Sequence, residues 1–207
     1  MFAAFEPKLP PGWEDAKYLF LGNIDPVLQL HVLEQMSRPS LVVCDTMNYW
    51  IQSKKAELLK LLERVDILLV NDGEARELSG DWNIHRAGKW IMARGPQRVV
   101  IKQGEYGALL LEPDRSFYVP AYPLEEVFDP TGAGDAFAGG FMGYLARVDS
   151  TAHAQLRRAM VYGATMGSFA VQGFGVRGFD TVDYAAVQNR VEAFVDLTSV
   201  HLAEPLP

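Results

Sequence analysis

The sequence predicts an α/β fold built on a mostly parallel central sheet. Three observations carry that prediction. Apolar runs of strand length, bounded by turn residues, recur four times before residue 103. Between them lie stretches of about ten residues with helical spacing, and a chain that crosses back over a sheet through a helix makes its strands parallel. From Gly134 onward the texture changes to long helices rich in small residues, broken by a glycine-rich turn at 173–178. The strand runs are continuous rather than alternating, as expected of strands buried on both faces.

The elements follow in order. The first sixteen residues hold Pro7, Pro10, Pro11 and Gly12 with no regular period, so 1–16 is expected to be an irregular lead-in and 17–207 one domain. A length of 207 residues with 49% hydrophobic side chains suits one domain with a sizeable core. Lys17 to Gly22 (KYLFLG) is predicted as a strand. Asp25 then supplies an N-cap with Pro26 at the first helical position, and the helix carrying Leu28, Val32 and Met36 stops before Pro39. Leu41 to Cys44 is the second strand, Lys54 to Val65 an amphipathic helix, and Asp66 to Val70 the third strand. Glu74 to Leu78 and His85 to Arg94 are expected to be helical, and Arg98 to Lys102 is the fourth strand. Gly107 to Leu111 and Ser116 to Ala121 form a hairpin or two edge strands about Pro113-Asp114. Helices at Asp135 to Arg147, Ala152 to Gln172 and Val182 to Val195 complete the chain.

Composition removes several function classes. The 26 acidic against 19 basic residues, a net charge of −7, argue against binding nucleic acid or an anionic membrane surface. The single cysteine, Cys44, has no internal disulfide partner, and four scattered histidines offer no zinc-ligand spacing. No apolar stretch approaches the ~20 residues that span a bilayer, and the opening MFAAFEPKLP lacks the pattern of a signal peptide. The expectation is a soluble, cytoplasmic protein. Neither a Walker A run, nor a paired-histidine motif, nor a serine elbow occurs.

The stretch richest in chemistry is Asp129-Pro-Thr-Gly-Ala-Gly-Asp135, entering a helix of small residues. A helix starting near Gly134 leaves the backbone N–H groups of Gly132, Ala133, Gly134 and Asp135 without intrahelical acceptors. Glycine leaves such donors uncovered, and with the positive helix end they form an anion site. Asp135 beside that site repels phosphate unless it has other work, such as accepting the proton of an attacking alcohol. The alternative is that Asp135 merely caps the helix. Asn71-Asp-Gly-Glu74 closes an apolar strand, where ligands collect in open parallel sheets. Taken alone it reads first as an N-cap with a supporting glutamate, and beside the 129–135 run as a pair that orients water around Mg²⁺. Lys102-Gln-Gly104-Glu-Tyr-Gly107 is a turn after a strand. Gly173-Phe-Gly175-Val-Arg-Gly178 satisfies a dinucleotide spacing, but its predicted neighbours are helical rather than βαβ.

These motifs together resemble the ribokinase or PfkB family. DPTGAGDAFAGGF is similar to its C-terminal signature, and Asn71-x-x-Glu74 and the strand ending before Gly104-x-x-Gly107 are similar to two further family motifs. The resemblance implies a ribokinase-like three-layer α/β/α fold, with Asp135 as base and the amides of Gly132, Ala133 and Gly134 as anion hole. It implies that Asn71 and Glu74 arrange Mg²⁺ through water. Lys102, Gly104, Gly107 and Thr131 would lie against ATP, although Lys102 stands where the family more often has threonine or serine. Asp129 and the Thr131 carbonyl would hold a monovalent cation such as K⁺, beside the loop of Ala170, Gly173 and Gly175. Asp45-Thr-Met-Asn48-Tyr-Trp50 resembles the segment after the family's central strand. There Asp45 and Asn48 are candidates to line the cleft, and Tyr49 and Trp50 are expected to pack.

The resemblance runs from Lys17 to Gly175 and leaves out the family's N-terminal lid and acceptor-binding segment, so an N-terminally truncated member is expected. The implied activity is ATP-dependent phosphorylation of an alcohol on a sugar, nucleoside or related metabolite. A catalytically inactive nucleotide-binding or scaffolding remnant is the alternative, and homo-oligomers are a candidate way to recover missing surface. A vitamin kinase of the hydroxymethylpyrimidine type is a third reading, disfavoured by the absence of cysteine in the anion-hole run.

Overall fold

The computed structural model describes residues 5–199, so residues 1–4 of the expected lead-in and 200–207 of the expected domain lie outside the described residues. The chain divides into two compact units, Met1–Pro120 and Ala121–Pro207.

The first unit is a six-stranded sheet whose strands follow chain order. β1 (Tyr18–Leu21), β2 (Leu41–Asp45), β3 (Ile67–Asn71) and β4 (Arg98–Lys102) are mutually parallel. β5 (Ala108–Leu111) and β6 (Ser116–Val119) add an antiparallel meander, as the turn residues between them predict. The crossovers carry α1 (Pro26–Glu34), α2 (Asn48–Ser53), α3 (Lys55–Leu62), α4 (Asp72–Ser79) and α5 (Ile84–Met92). Sequential strand order with right-handed crossovers puts these helices on one face. The core accordingly joins Val42, Cys44, Leu68, Val70, Val99 and Ile101 of the strands to Leu58, Leu61, Leu62, Leu78 and Ile91 of the helices. The intervening strand residues Val43, Ile67, Leu69, Val100 and Leu110 are fully buried too, which is why the strands read as unbroken apolar runs.

Local chemistry sets the element ends. Asp25 accepts from the Val27 N–H at 3.0 Å and Pro26 opens α1, as the sequence predicts. Residues 5–17 form no helix or strand beyond turns. They are tied down by Gln35, which accepts from the Leu9 N–H and donates to the Pro7 carbonyl. Gln29 is buried and donates to the carbonyls of Leu21, Gly22 and Asp45, stitching together the C-terminal ends of β1 and β2. The six-residue α2 was not anticipated, because only Ile51 of it is buried and no apolar period announces it.

The second unit contains α6 (Ala133–Val148), α7 (His153–Ala170) and α8 (Tyr184–Thr198). Glycines let the first two approach closely. A Cβ on Gly140 would lie 2.5 Å from the Tyr162 carbonyl oxygen, and one on Gly163 would lie 3.0 Å from the Phe137 ring. Phe141 and Leu145 of α6 and Leu156 and Met160 of α7 are fully buried, and the Tyr144 and Tyr162 rings stack at 4.6 Å. Tyr162 also exchanges hydrogen bonds with Gln188 of α8.

Candidate active site

In the first unit, candidate residues gather at the C-terminal ends of two neighbouring parallel strands. Asn71 ends β3 and stands in register with Lys102, which ends β4. The Asn71 side chain accepts from the Glu74 N–H at 2.8 Å, and the Glu74 carboxylate accepts from the Asn71 N–H at 2.7 Å. This is a complete capping box, so the capping interpretation of this pair is realised. It does not exhaust the groups, since Asn71 keeps its side-chain N–H₂ and Glu74 keeps its second oxygen. Glu74 is buried. Desolvation pushes its carboxyl above the ordinary value of 4.5, while the Asn71 N–H and the nearby Lys102 charge pull the other way. The Glu74 carboxylate is thus held partly dry near the Lys102 charge.

That arrangement has a stability signature. A carboxyl whose folded-state value is raised binds its proton more tightly when folded. The stability it contributes is fully present below pH 4.5 and is lost as pH rises through the raised value. Glu74→Gln keeps an acceptor for the Asn71 N–H and removes the buried charge. The variant should unfold at a higher temperature than the native chain at pH 7, and the advantage should vanish on titration below pH 4.5. Thermal unfolding across that range checks this.

The turn after β4 holds Gly104 at φ +57° and Gly107 at φ +110°, with the Gln103 N–H donating to the Gly107 carbonyl at 2.7 Å. The two glycines differ in purpose. A Cβ on Gly107 would sit 2.1 Å from the Val119 carbonyl oxygen, so glycine is required there by the fold. A Cβ on Gly104 would meet nothing within 4 Å, so that position faces open space. Asn48 and Gln52 of α2 both donate to Glu77 of α4, at 2.6 Å each, so Asn48 braces the helix that bears Glu74. Tyr49, expected to pack, is 59% exposed. Trp50 packs edge-on against it and donates to Asn23.

In the second unit the glycine turn forms the start of α6. Gly132 is the N-cap at φ +81° and contributes no side chain, and the helix begins at Ala133, one residue before the expected start. The Ala133 N–H, one of the expected anion-hole donors, donates to the Pro130 carbonyl at 3.2 Å. Among the described residues no group accepts from the N–H of Gly132, Gly134 or Asp135. Asp135 occupies the third helical position, exposed, and its carboxylate takes no capping hydrogen bond, so the capping interpretation fails at this residue.

Asp129 accepts from the Thr131 N–H at 2.9 Å. That bond, followed by the Thr131 hydroxyl and the Gly175 N–H, holds its carboxyl below the ordinary value. The Phe128 N–H donates to the Val171 carbonyl at 2.9 Å, so the 127–131 segment and the loop after α7 run together. Gly173 and Gly178 serve close packing: a Cβ on the former would lie 2.6 Å from the Gly178 nitrogen. The loop follows α7 and leads into a short 3₁₀ turn, Arg177–Phe179, so its G-x-G-x-x-G spacing is not a dinucleotide fingerprint. Sequence inspection missed Phe128, Phe174 and Val176, which are 69%, 74% and 78% exposed around this turn. Apolar side chains inside a glycine-rich, otherwise polar stretch were the available signal.

The donor set fits phosphate oxygens: uncommitted N–H groups at a helix N-terminus, and an uncovered Gly132 where a Cβ would meet nothing. It fits Mg²⁺ only through water. Among the described residues no group of three or more histidine, cysteine or acidic side chains is arranged to hold a metal, and Glu74 has a single uncommitted oxygen. Nor is any helix among them long and apolar enough to cross a membrane.

The fold is that of a ribokinase-like α/β protein, with uncommitted N–H groups at the start of α6. The structure matches nucleoside kinase of Methanocaldococcus jannaschii, an archaeal member of the ribokinase family, with a TM-score of 0.70 over 86% of this chain and 56% of that one at 22% identity. It matches aminoimidazole riboside kinase from Salmonella enterica with a TM-score of 0.66 over 93% and 65% of the two chains at 26% identity. Residues 16–181 match the pfkB family carbohydrate kinases, and the chain belongs to that family. In sequence it is 35% identical to cytidine kinase of Thermococcus kodakarensis over 147 residues, 69% of this chain and 52% of that protein. The chain thus spans about half the length of that curated relative, and 34% of aminoimidazole riboside kinase from Salmonella typhimurium.

Proposed function

We propose that the chain is an ATP-dependent kinase that passes the γ-phosphoryl group to an alcohol of a sugar, nucleoside or related small metabolite. The observation that carries this is the 132–135 turn, with three uncommitted N–H groups and an exposed, unpaired Asp135 carboxylate in the same helical turn. ATP with Mg²⁺ supplies the transferable phosphoryl group and offsets part of its charge. Each remaining role belongs to a named residue. The amides of Gly132, Gly134 and Asp135 receive phosphoryl oxygens, and the Asp135 carboxylate accepts the proton of the alcohol as the oxygen attacks. Asn71 and Glu74 orient the metal's water shell, and Lys102 places a positive charge beside them.

Gly104 keeps the turn after β4 bare enough for a nucleotide to approach, while Gly107 sets the shape of that turn. Phe128, Phe174 and Val176 offer an apolar face to a base. Asp129 and the Thr131 carbonyl are the residues for a monovalent cation such as K⁺. Relatives named for cytidine, aminoimidazole riboside and deoxyribose support an acceptor bearing a ribose-type hydroxyl. The net charge of −7 supports a small molecule over a polyanion as partner, and a cytoplasmic setting belongs to the same proposal.

Calorimetric titration with Mg·ATP tests the anion site. Saturable binding is expected, weakened about tenfold in Gly132→Ala, because alanine disfavours the left-handed conformation that aims the amides. A folded chain that shows no saturable binding overturns the proposal.

A further inference from the structure

We infer that Arg190 of α8 is a positioning residue for the Asp129-bearing turn, its guanidinium pinning both chain segments whose meeting holds that turn in place. The first segment begins at Tyr122, whose ring lies 4.9 Å from the Arg190 guanidinium carbon and 5.3 Å from the Phe194 ring, and runs on to Phe128 and Asp129. The second begins in the last turn of α7. Arg190 Nη1 donates to Ser168 Oγ at 3.0 Å and to Gln172 Oε1 at 2.8 Å, and the guanidinium lies 3.6 Å from the Phe169 ring centre. Beyond that turn the two segments join, through the Phe128 N–H to the Val171 carbonyl and through Gly175 to the Asp129 carboxylate.

The tightness of the second segment makes the pin effective. A Cβ on Gly178 would lie 2.2 Å from the Phe169 carbonyl oxygen, so the glycine loop folds directly back onto the helical turn that Arg190 grips. A shift of Ser168 and Phe169 is therefore passed to the loop as a shift of backbone, with no slack to absorb it.

The chemistry of the contact is unusual for a packing arginine. Among the described residues no carboxylate pairs with Arg190; its partners are a hydroxyl, an amide oxygen and two aromatic faces. Burial pushes its pKa down, so the charge is held at some cost, eased by the negative end of the α7 dipole. Lysine cannot replace this combination, since a planar fork both donates in its plane and stacks above it. The consequence for ligand binding rests on the kinase reading above, whereas the placement of the loop does not.

Hydrogen exchange resolved at single amides, on the full chain, tests the placement. In Arg190→Ala the Phe128 amide should exchange about tenfold faster while amides in the middle of α6 and α7 stay unchanged, because only the loop junction opens. Millimolar guanidinium should restore slow exchange and ammonium should not. Arg190→Lys, which retains the stem and charge, should give an intermediate rate and covers the case in which alanine unfolds the unit. An unaltered Phe128 rate in the variants overturns the inference, and so does uniform acceleration through α7 and α8, which marks packing alone. Mg·ATP titration of the same proteins should show affinity about tenfold weaker in Arg190→Ala and regained with guanidinium, as expected of lost preorganisation. Unchanged affinity beside a faster Phe128 amide overturns the link to nucleotide binding. Failure of the native chain to bind overturns the kinase reading instead, and the exchange result still decides Arg190.

Discussion

Asp135→Asn should lower turnover by about 10²- to 10⁴-fold, the range typical of losing a general base, while Mg·ATP affinity stays close to native. The asymmetry follows from where the residue sits. Its backbone N–H is one of the uncommitted donors at the start of α6 and survives the substitution; its carboxylate is exposed and takes part in no cap. Asparagine conserves shape and removes only the capacity to accept a proton. It also removes a negative charge next to bound phosphate, so affinity for ATP should hold or tighten slightly rather than fall. Stability should barely change, because no buried partner is orphaned. The measurement is steady-state turnover with a panel led by cytidine and ribosides, together with calorimetry on the same preparations. Native turnover in the variant, on any acceptor the native chain uses, removes Asp135 from the mechanism. A joint loss of affinity and turnover would instead mean that the side chain shapes the turn.

The largest stability effect should come from Gly107→Ala, at about 3–5 kcal/mol, the sum of a non-glycine residue forced to strongly positive φ and a severe overlap in packed backbone. The added Cβ would lie 2.1 Å from the Val119 carbonyl oxygen and 2.7 Å from Pro120 backbone atoms, none of which can rotate away as a side chain would. Gly104→Ala is the matched control. Its φ of +57° costs about 1–2 kcal/mol, but its Cβ meets nothing within 4 Å. Urea unfolding of both variants should therefore separate them by at least ~1 kcal/mol, with Gly107→Ala the less stable. If Gly104→Ala also binds Mg·ATP more weakly while remaining folded, the bare position serves the ligand and not the fold. Equal stability of the two variants would show that the Gly107 approach relaxes at little cost.

Much of this was legible from the residues themselves. The four parallel strands announce themselves as apolar runs between helical periods, since burial on both sheet faces leaves no place for polar alternation. Asp25-Pro26 marks its helix start for a purely local reason, a side chain capping an amide two residues ahead. The glycine turn was legible for the same kind of reason: uncovered amides at a helix N-terminus are a property of the backbone and of three or four neighbouring residues.

Sequence by itself thus determined the α/β class, the succession of strands along the chain, and the glycine turn that opens α6. All three depend on periodicity or on contacts within one turn. Tertiary structure alone decided which donors remain available, as with Ala133, whose N–H is taken by Pro130. It alone separated the two glycines after β4, because the obstacle at Gly107 comes from Val119, a strand away. It alone set Lys102 beside Glu74 and Arg190 between Tyr122 and Phe169. Those relations join residues distant in the chain, and their energies arise from desolvation and close packing, which no local pattern records.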